Sequence, residues 1–220
     1  QRRWVLSANV RGRDMGGVVA DIQNRIKENV VLPPGYRVEY GGQFENQQRA
    51  MSRLAIIVPL TILLIFFMLY MAFNKVKTAT LIITNVPFAL IGGIFGLLVT
   101  DEYLSVPAAV GFIALFGVAV QNGVVLVSFI EYLRKEGMSA GQAIVEGAVM
   151  RLRPVLMTAL ATAMGLVPLL FSTGIGADVQ RPLAIVVVCG LVSSTLLTLF
   201  VIPALYTWFV PKHREIAVDK

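Results

Sequence analysis

Two adjacent amide side chains, Gln121 and Asn122, lie in the middle of a long apolar run at residues 112–130. Burying an amide in hydrocarbon without a hydrogen-bond partner costs about 2–7 kcal/mol, so such residues usually face a helix-bundle interior or a water-filled path. They could therefore carry a polar relay or bind a second bundle. They could equally join neighbouring membrane helices, which contributes about 0.6–2 kcal/mol. Adjacent residues point about 100° apart on a helix, so one amide can act in a relay while the other only packs.

Two threonines, Thr158 and Thr162, are spaced one helical turn apart in a later apolar run and so share a helix face. A hydroxyl on such a face could pass a proton, but a membrane threonine more often bonds the carbonyl one turn back in its own helix. Methionines such as Met157 and Met164 could bind a soft metal. Because they are scattered and do not converge with Cys or His, filling the core is the favoured interpretation. No metal site and no cofactor is predicted.

The groups that enzymes and ion carriers commonly use are absent from the apolar runs. No Asp, Glu, Lys, Arg or His lies at the central depth of any of them, whereas ion-driven transport generally uses an ionisable residue inside the membrane. The sequence also lacks a Ser/His/Asp or Cys/His set, a glycine-rich phosphate loop and a His/Cys cluster with metal-ligand spacing. The single cysteine, Cys189, cannot form a disulfide framework. An enzyme is therefore not predicted.

The elements that must hold these residues are membrane-spanning helices. Of the 220 residues, 56% are hydrophobic and only 15% are charged, against about 25% charged in ordinary globular proteins. A helix crosses a bilayer with about 20 predominantly apolar residues. Runs that reach or approach this length predict a helical membrane protein with five spans, at residues 54–73, 78–99, 106–130, 155–171 and 183–209. The net charge of +6 does not predict nucleic-acid binding, because the basic residues lie outside the spans and do not form one patch.

Basic residues occur in every second connection between the spans. They are Lys75 and Lys77; Arg134, Lys135, Arg151 and Arg153; and, after the last span, Lys212, His213, Arg214 and Lys220. The other two connections hold a single basic residue, Arg181. The positive-inside rule therefore predicts a cytoplasmic C-terminus and an N-terminal segment on the opposite side of the membrane.

Residues 1–50 precede the first span and are predicted to form a strand, a helix and a second strand. The strands are expected at residues 4–10 and 36–40, and Asp14 is expected to cap the helix between them. Two strands and one helix cannot bury both faces of a sheet, so this βαβ piece would belong to a larger domain. The polar stretch 43–53 can continue as helix into the first span.

Residues 51–212 form the predicted membrane domain, and residues 213–220 follow it as a cytoplasmic tail. In the cytoplasmic connection, Ser139 and Gln142 have the spacing of a capping box. This predicts a surface helix at about 139–150 that ends before Arg153 and Pro154. Helix packing through small residues at four-residue spacing is predicted at Gly92, Gly93, Gly96, Ala161 and Gly165.

Three co-linear segments, at residues 110–117, 121–126 and 151–158, closely resemble the RND (resistance-nodulation-division) efflux transporters, and the heavy-metal efflux branch fits best. The resemblance covers nearly the whole chain. It implies the C-terminal part of a bacterial inner-membrane pump, in which a ferredoxin-like periplasmic porter subdomain ends and the last five spans follow. It also implies a proton-driven exporter of divalent cations (Zn, Co, Cd or Ni), acting as a homotrimer with a periplasmic adaptor and an outer-membrane channel.

By motif position, Gln121 and Asn122 would face the proton-carrying aspartates of a first repeat, and Thr158 would match the threonine of the family's relay. Drug-exporting members have Lys in place of Gln121, and copper or silver exporters have Glu there and Lys in place of Val155. The resemblance therefore favours divalent cations. The alternatives are a drug or copper/silver exporter, an export factor of the SecDF type, and a remnant or scaffold that binds other RND chains without transporting.

Overall fold

The computed structural model of this chain describes residues 4–10, 13–174 and 176–209. Within these ranges the backbone forms helices and connecting segments, and no β-strand. The cytoplasmic tail predicted at 213–220 lies outside the described residues, as does the predicted end of the membrane domain at 210–212. The described part of the chain is therefore all-helical, as expected for a helical membrane protein.

The chain divides into two compact units, Gln1–Ala55 and Ile56–Lys220. The first unit contains helix α1 (Met15–Asn29), which begins where expected. The Asp14 carboxylate accepts a hydrogen bond from the Gly17 amide. Such a cap satisfies one of the free N–H groups of the first turn and places a negative charge at the positive end of the helix.

The predicted βαβ arrangement is not shown by the described residues, because residues 4–10 and 36–40 do not form strands. Trp4 is 95% exposed and Leu6 is 99% exposed, so the first segment has no packed face. A strand needs a hydrogen-bonded neighbour, and an isolated pair of strands is marginally stable at best in water. A β-rich composition alone therefore does not produce a sheet here.

The remaining helices include all five predicted spans. They are α2 (Gln43–Phe73), α3 (Val76–Ile83), α4 (Asn85–Val99), α5 (Val106–Lys135), α6 (Ala140–Leu170) and α7 (Ala177–Phe209). The described residues contain five stretches long and apolar enough to cross a membrane, with α3 and α4 counting together as one. Helix α2 begins in the polar stretch before the first span and continues into it without a break, as expected.

Helix α6 corrects the predicted end of the surface helix, because it runs through Pro154 instead of stopping before it. Its start agrees with the capping box, since the Gln142 amide donates to Ser139 Oγ at 3.4 Å. A proline removes one backbone hydrogen bond, and in membrane helices neighbouring groups commonly compensate for that loss. The predicted surface helix is therefore the first part of a 31-residue helix. Its position at the membrane surface stays a prediction.

The core of the second unit lies where α4, α5 and α7 pack against one another. Leu115, Leu126 and Val186 are fully buried there. In the most apolar stretch of both α5 and α7, 50% of the residues are buried, against 6% in α2 and in α6. Helices α2 and α6 therefore present apolar faces that, in a membrane, would contact lipid or other protein segments.

Candidate functional site

The two central amides of α5 have different surroundings. Gln121 is exposed, whereas Asn122 is only 8% exposed. The Asn122 Nδ2 atom has no hydrogen-bond partner among the described residues. Because adjacent side chains diverge by about 100° around a helix, Gln121 alone lies where another protein segment could reach it. The structure thus separates two amides that the sequence pattern treats as one pair.

Gln121 lies at the centre of an exposed face of α5. Ala114, Gly117 and Ser128 are exposed on the same face, so small residues lie on both sides of Gln121. Small residues allow a second membrane helix to approach closely. This face can therefore accept a further helix, with the Gln121 amide as its central polar contact.

Thr158 is exposed on α6, and its hydroxyl bonds its own helix. The Thr158 Oγ1 atom donates to the Val155 carbonyl at 2.9 Å and lies 3.2 Å from the Pro154 carbonyl. Thr162 Oγ1 donates in the same way to the Thr158 carbonyl at 2.9 Å. Within the described part of the chain, no hydrogen bond joins Thr158 to Gln121. The structure therefore shows the local bonding that is common for membrane threonines, without a completed relay.

The glycines predicted to pack helices fall into two groups. Three of them lie so close to a neighbouring helix that a methyl group would collide with it. The distances from an added Cβ are 2.3 Å from Gly92 to Ser193 Cβ, 2.4 Å from Gly93 to Phe112 Cε1 and 2.6 Å from Gly96 to Cys189 Cβ. Gly165, in contrast, has nothing within 4 Å of that position outside its own stretch of helix. Packing within this chain therefore requires the α4 glycines and does not involve Gly165.

A buried polar contact that the sequence pattern did not predict joins α4, α5 and α7. Asn85, the first residue of α4, is 2% exposed. Its side-chain amide donates to the Ala119 carbonyl at 2.9 Å and to the Thr198 hydroxyl. Thr198 Oγ1 in turn donates to the Ser194 carbonyl at 2.6 Å. A signal was available in the sequence, because Asn85 is the single amide in its apolar run.

We expect Asn85→Leu to destabilise the second unit by about 1–3 kcal/mol, because it removes two hydrogen bonds in a bundle interior. The measurement is the midpoint of unfolding in sodium dodecyl sulfate, with the loss of helix monitored by circular dichroism. Asn29→Leu is the control, since the Asn29 amide is exposed and bonds only the Arg25 carbonyl of its own helix. Equal unfolding midpoints for Asn85→Leu and the unmodified chain would contradict this expectation.

Two ion pairs, one at each end of the second unit, join a connecting segment to the end of another helix. Lys75 Nζ lies 3.0 Å from Glu131 Oε1, which joins the connection after α2 to the last turns of α5. Arg181 Nε lies 3.4 Å from Glu102 Oε1, which joins the connection after α4 to the first turns of α7. The end of α5 therefore lies beside the start of α3, and the start of α7 lies beside the end of α4, so α5 and α7 each run opposite to α3 and α4.

The described residues contain no group of three or more His, Cys, Asp or Glu side chains that could hold a metal ion. Met157 and Met164 lie on α6 and are 63% and 73% exposed. They do not fill the core of this chain, which corrects the favoured interpretation of these residues. The reason is that α6 has few buried residues along its apolar half, so its methionines face outward.

Residues 1–210 match the protein family described as the AcrB/AcrD/AcrF family. The chain belongs to this family. Within the AcrB/AcrD/AcrF family it is an RND sequence of the CzcA-like heavy-metal branch, as the three co-linear motifs predict.

Relatives in this family include proteins named for metal resistance. The chain is 52% identical over 206 residues to the "Cobalt-zinc-cadmium resistance protein CzcA" of Cupriavidus metallidurans. It is 53% identical over 205 residues to the "Nickel and cobalt resistance protein CnrA" of the same organism. Identity to the "Cation efflux system protein CusA" of Escherichia coli is 41% over 223 residues. These alignments cover 94%, 93% and 96% of this chain.

A solved structure described as a "heavy metal efflux pump, crystal form II" matches this AcrB/AcrD/AcrF family member with a TM-score of 0.79 and 44% identity. The match covers 91% of this chain and 20% of the solved one. The sequence alignments likewise cover 19–21% of the relatives. The chain thus spans about a fifth of the length of the curated relatives it matches.

Proposed function

We propose that this chain forms part of a proton-driven RND pump that exports divalent heavy-metal cations, of the Zn, Co, Cd and Ni class, across a bacterial inner membrane. The observation that carries the proposal is the identity of 52–53% to relatives named for cobalt, zinc, cadmium and nickel resistance, along 93–94% of the chain. Gln121 and Val155 add support, because copper or silver exporters carry Glu and Lys at these two motif positions.

Gln121 would supply this chain's half of the coupling site. It is exposed between small residues of α5, and no ionisable side chain lies at the central depth of the spans. An amide N–H can donate to the ionised carboxylate of a proton carrier, and the amide oxygen can accept from the protonated carboxyl. The carboxylate itself would belong to another span of the complete pump. Gln121 would then couple the protonation of that carrier to the position of α5.

Thr158 would join the relay when its hydroxyl turns away from its own helix. It is exposed, so a neighbouring segment can reach it, and its bonds to the Val155 and Pro154 carbonyls are local ones that a rotation about χ1 can exchange. A hydroxyl both donates and accepts, which a proton relay requires.

We expect Thr158→Val, in the product of the complete gene, to lower proton-coupled metal export about tenfold, the effect of losing one hydrogen bond of about 1.4 kcal/mol in the rate-limiting state. Thr162→Val is a matched control, because Thr162 is also exposed on α6 and bonds a carbonyl one turn back. The measurement is metal uptake into everted membrane vesicles under an imposed pH gradient. Equal losses for the two variants would remove Thr158 from the relay.

We place the C-terminus in the cytoplasm and the N-terminal unit in the periplasm. The support is that Lys75 lies at the same end of the second unit as Glu131, near the basic Arg134 of the same helix end. The positive-inside rule assigns such an end to the cytoplasm. The opposite end, where Glu102 and Arg181 pair, would then face the periplasm.

In the assembled pump, the N-terminal unit would complete a ferredoxin-like porter subdomain. Residues 4–10 and 36–40 would gain strand partners there, which explains why their β-rich composition is not matched by strands in this chain. The pump would act as a homotrimer with a periplasmic adaptor and an outer-membrane channel.

A chimera tests the proposal without variants of single residues. This chain would replace the matching segment of the cobalt-zinc-cadmium resistance protein of Cupriavidus metallidurans, in a strain that lacks its own exporters of these metals. We expect tolerance to zinc, cobalt and cadmium to be retained, while the relative with this segment deleted gives none. A chimera present in the membrane at the level of the parent but without metal tolerance would contradict the proposal.

A further inference from the structure

Three buried polar atoms in the interior of the α4–α5–α7 bundle have no hydrogen-bond partner among the described residues. They are Asn85 Oδ1, Asn122 Nδ2 and Thr195 Oγ1. The three residues are 2%, 8% and 3% exposed, respectively. Native structures rarely leave buried polar atoms unpaired, because each unmade hydrogen bond costs free energy. A ligand that can hydrogen-bond would satisfy all three atoms.

The three atoms lie close to the hydrogen bonds of Asn85. Asn85 donates to the Ala119 carbonyl on α5, which is one helical turn before Asn122. It also donates to Thr198 on α7, which is one turn after Thr195. One turn advances about 5.4 Å along a helix. Each unpaired atom thus belongs to Asn85 itself or to a residue one turn from one of its two partners.

The order of these atoms along the bundle follows from the packing of α5 against α7. Leu115 lies against Gly190, and Ile202 lies against Gly123, so the two helices run in the same direction. Thr195 and Asn122 are therefore on opposite sides of Asn85 along the bundle axis. Along the bundle axis the order is therefore Thr195, Asn85 and Asn122.

Thr195 lacks the bond to its own helix backbone that several other threonines of the chain make. Thr61 donates to the Ile57 carbonyl at 2.8 Å, and Thr100 donates to the Gly96 carbonyl at 2.8 Å. Thr195 lies within α7, where the same bond to its own backbone is available, yet Oγ1 has no partner. Its hydroxyl is therefore available to a ligand.

Flipping either side-chain amide, so that its nitrogen and oxygen exchange places, still leaves a buried atom without a hydrogen-bond partner. The Ala119 carbonyl can only accept a hydrogen bond, so it fixes the Asn85 nitrogen toward itself and leaves Oδ1 unpaired. In Asn122, the exchange would put an unpaired oxygen in the place of the unpaired nitrogen. A buried amide atom without a partner remains in every case.

The burial of these atoms decides what kind of ligand can satisfy them. All three atoms are buried, so neither a lipid nor another protein chain can contact them. Asn122 Nδ2 donates, Asn85 Oδ1 accepts and the Thr195 hydroxyl can do both. A cation would be repelled by the donor, and an anion would be repelled by the acceptor. Water both donates and accepts, and it is small enough for a bundle interior.

We propose that the α4–α5–α7 interior binds a short file of ordered water molecules, held by Asn85 Oδ1, Asn122 Nδ2 and Thr195 Oγ1. This water lies on the inner flank of α5, whereas Gln121 lies on the outer one. Hydrogen bonds through water exchange partners more easily than direct ones. The site would therefore let α5 shift against α7 while its buried amide stays satisfied.

Radiolytic hydroxyl-radical labelling in ¹⁸O water tests the site directly, because buried side chains are oxidised only where water lies beside them. Ile82 and Ile202 flank Gly123, next to Asn122, and are 0% and 2% exposed. Leu115 is 0% exposed and serves as the dry reference. In the complete gene product in nanodiscs, we expect labelling at both isoleucines and none at Leu115. Labelling of both isoleucines that does not exceed that of Leu115 would overturn the proposal.

Two substitutions of similar size give an independent test. Asn122→Leu and Thr195→Val should abolish the labelling of both isoleucines and lower the unfolding temperature, because loss of one ligand leaves the remaining groups unpaired. Without bound water, the same changes would remove an unpaired group, and the unfolding temperature would stay the same or rise. Thr162→Val, on the exposed face of α6, should change neither readout. Should either variant misfold, the comparison of Ile82 with Leu115 in the unmodified protein still decides the question.

Discussion

Gly92→Ala is expected to destabilise the second unit by about 1–3 kcal/mol or more, the cost of overpacking a filled interior. The added Cβ would lie 2.3 Å from Ser193 Cβ and 2.9 Å from the Cys189 carbonyl oxygen. Neither atom is the end of a flexible side chain, so relief requires α4 and α7 to separate. Separation would also stretch the bond that Ser193 Oγ donates to the Phe88 carbonyl, now 3.2 Å.

Gly165→Ala is the matched control for this change. It adds the same methyl group to another membrane-spanning glycine, but nothing lies within 4 Å of the new Cβ outside the local helix. Alanine favours a helix over glycine by about 1 kcal/mol, so this variant should be neutral or slightly more stable. Circular dichroism during unfolding in sodium dodecyl sulfate gives both midpoints. A loss of stability in Gly165→Ala as large as that in Gly92→Ala would contradict the packing shown by the structure.

This pair of glycines shows what the sequence can and cannot predict. Gly92 and Gly165 each occur in small-xxx-small spacing within an apolar run, and the pattern predicts the same packing role for both. Their surroundings differ because α4 lies in the bundle core, whereas the apolar half of α6 lies at its edge. The spacing of small residues indicates which face of a helix they occupy, but it does not indicate which neighbouring helix packs against that face.

The helices were predictable because the features that produce them, apolar runs and capping side chains, are local in the sequence. Twenty apolar residues make a span whatever surrounds them, and the side chains of Asp14 and Ser139 cap helix starts through neighbouring amides. The strands expected at 4–10 and 36–40 depend on partners that composition does not supply. The end expected before Pro154 failed because α6 continues on both sides of the proline, where the helical backbone bonds outweigh the single lost one.

The sequence draws attention to the residue types of the candidate site, but it does not give their arrangement. Gln121 and Asn122 stand out because amides are costly in hydrocarbon. Gln121 is exposed and Asn122 is buried because of how α5 is rotated against α7, and the neighbouring residues in the sequence do not determine that rotation. The contact of Asn85 was not predictable for a related reason, since its partner Thr198 is 113 residues away in the chain.

Gln121→Leu is expected to lower proton-coupled metal export by roughly 10- to 100-fold, the loss of about 1.5–3 kcal/mol from a hydrogen bond to a charged group. Leucine has a similar size but can neither donate to an ionised carboxylate nor accept from a protonated one. Metal uptake into everted vesicles under a pH gradient measures the effect, in the product of the complete gene. Gln121 is exposed in this chain, so the substitution should leave the unfolding midpoint of the chain itself unchanged.

The direction of the Gln121→Leu effect separates a coupling contact from a lipid-facing residue. If the small-residue face of α5 contacted lipid, leucine would be the better residue at position 121, and export would be unchanged. Ser128→Ala is the control, because Ser128 lies two turns further along the same exposed face and loses its only polar group. We expect export by Ser128→Ala to stay near that of the unmodified pump. Export that survives in Gln121→Leu as well would place the coupling contact on another residue, since the two variants share a helix face and differ in depth.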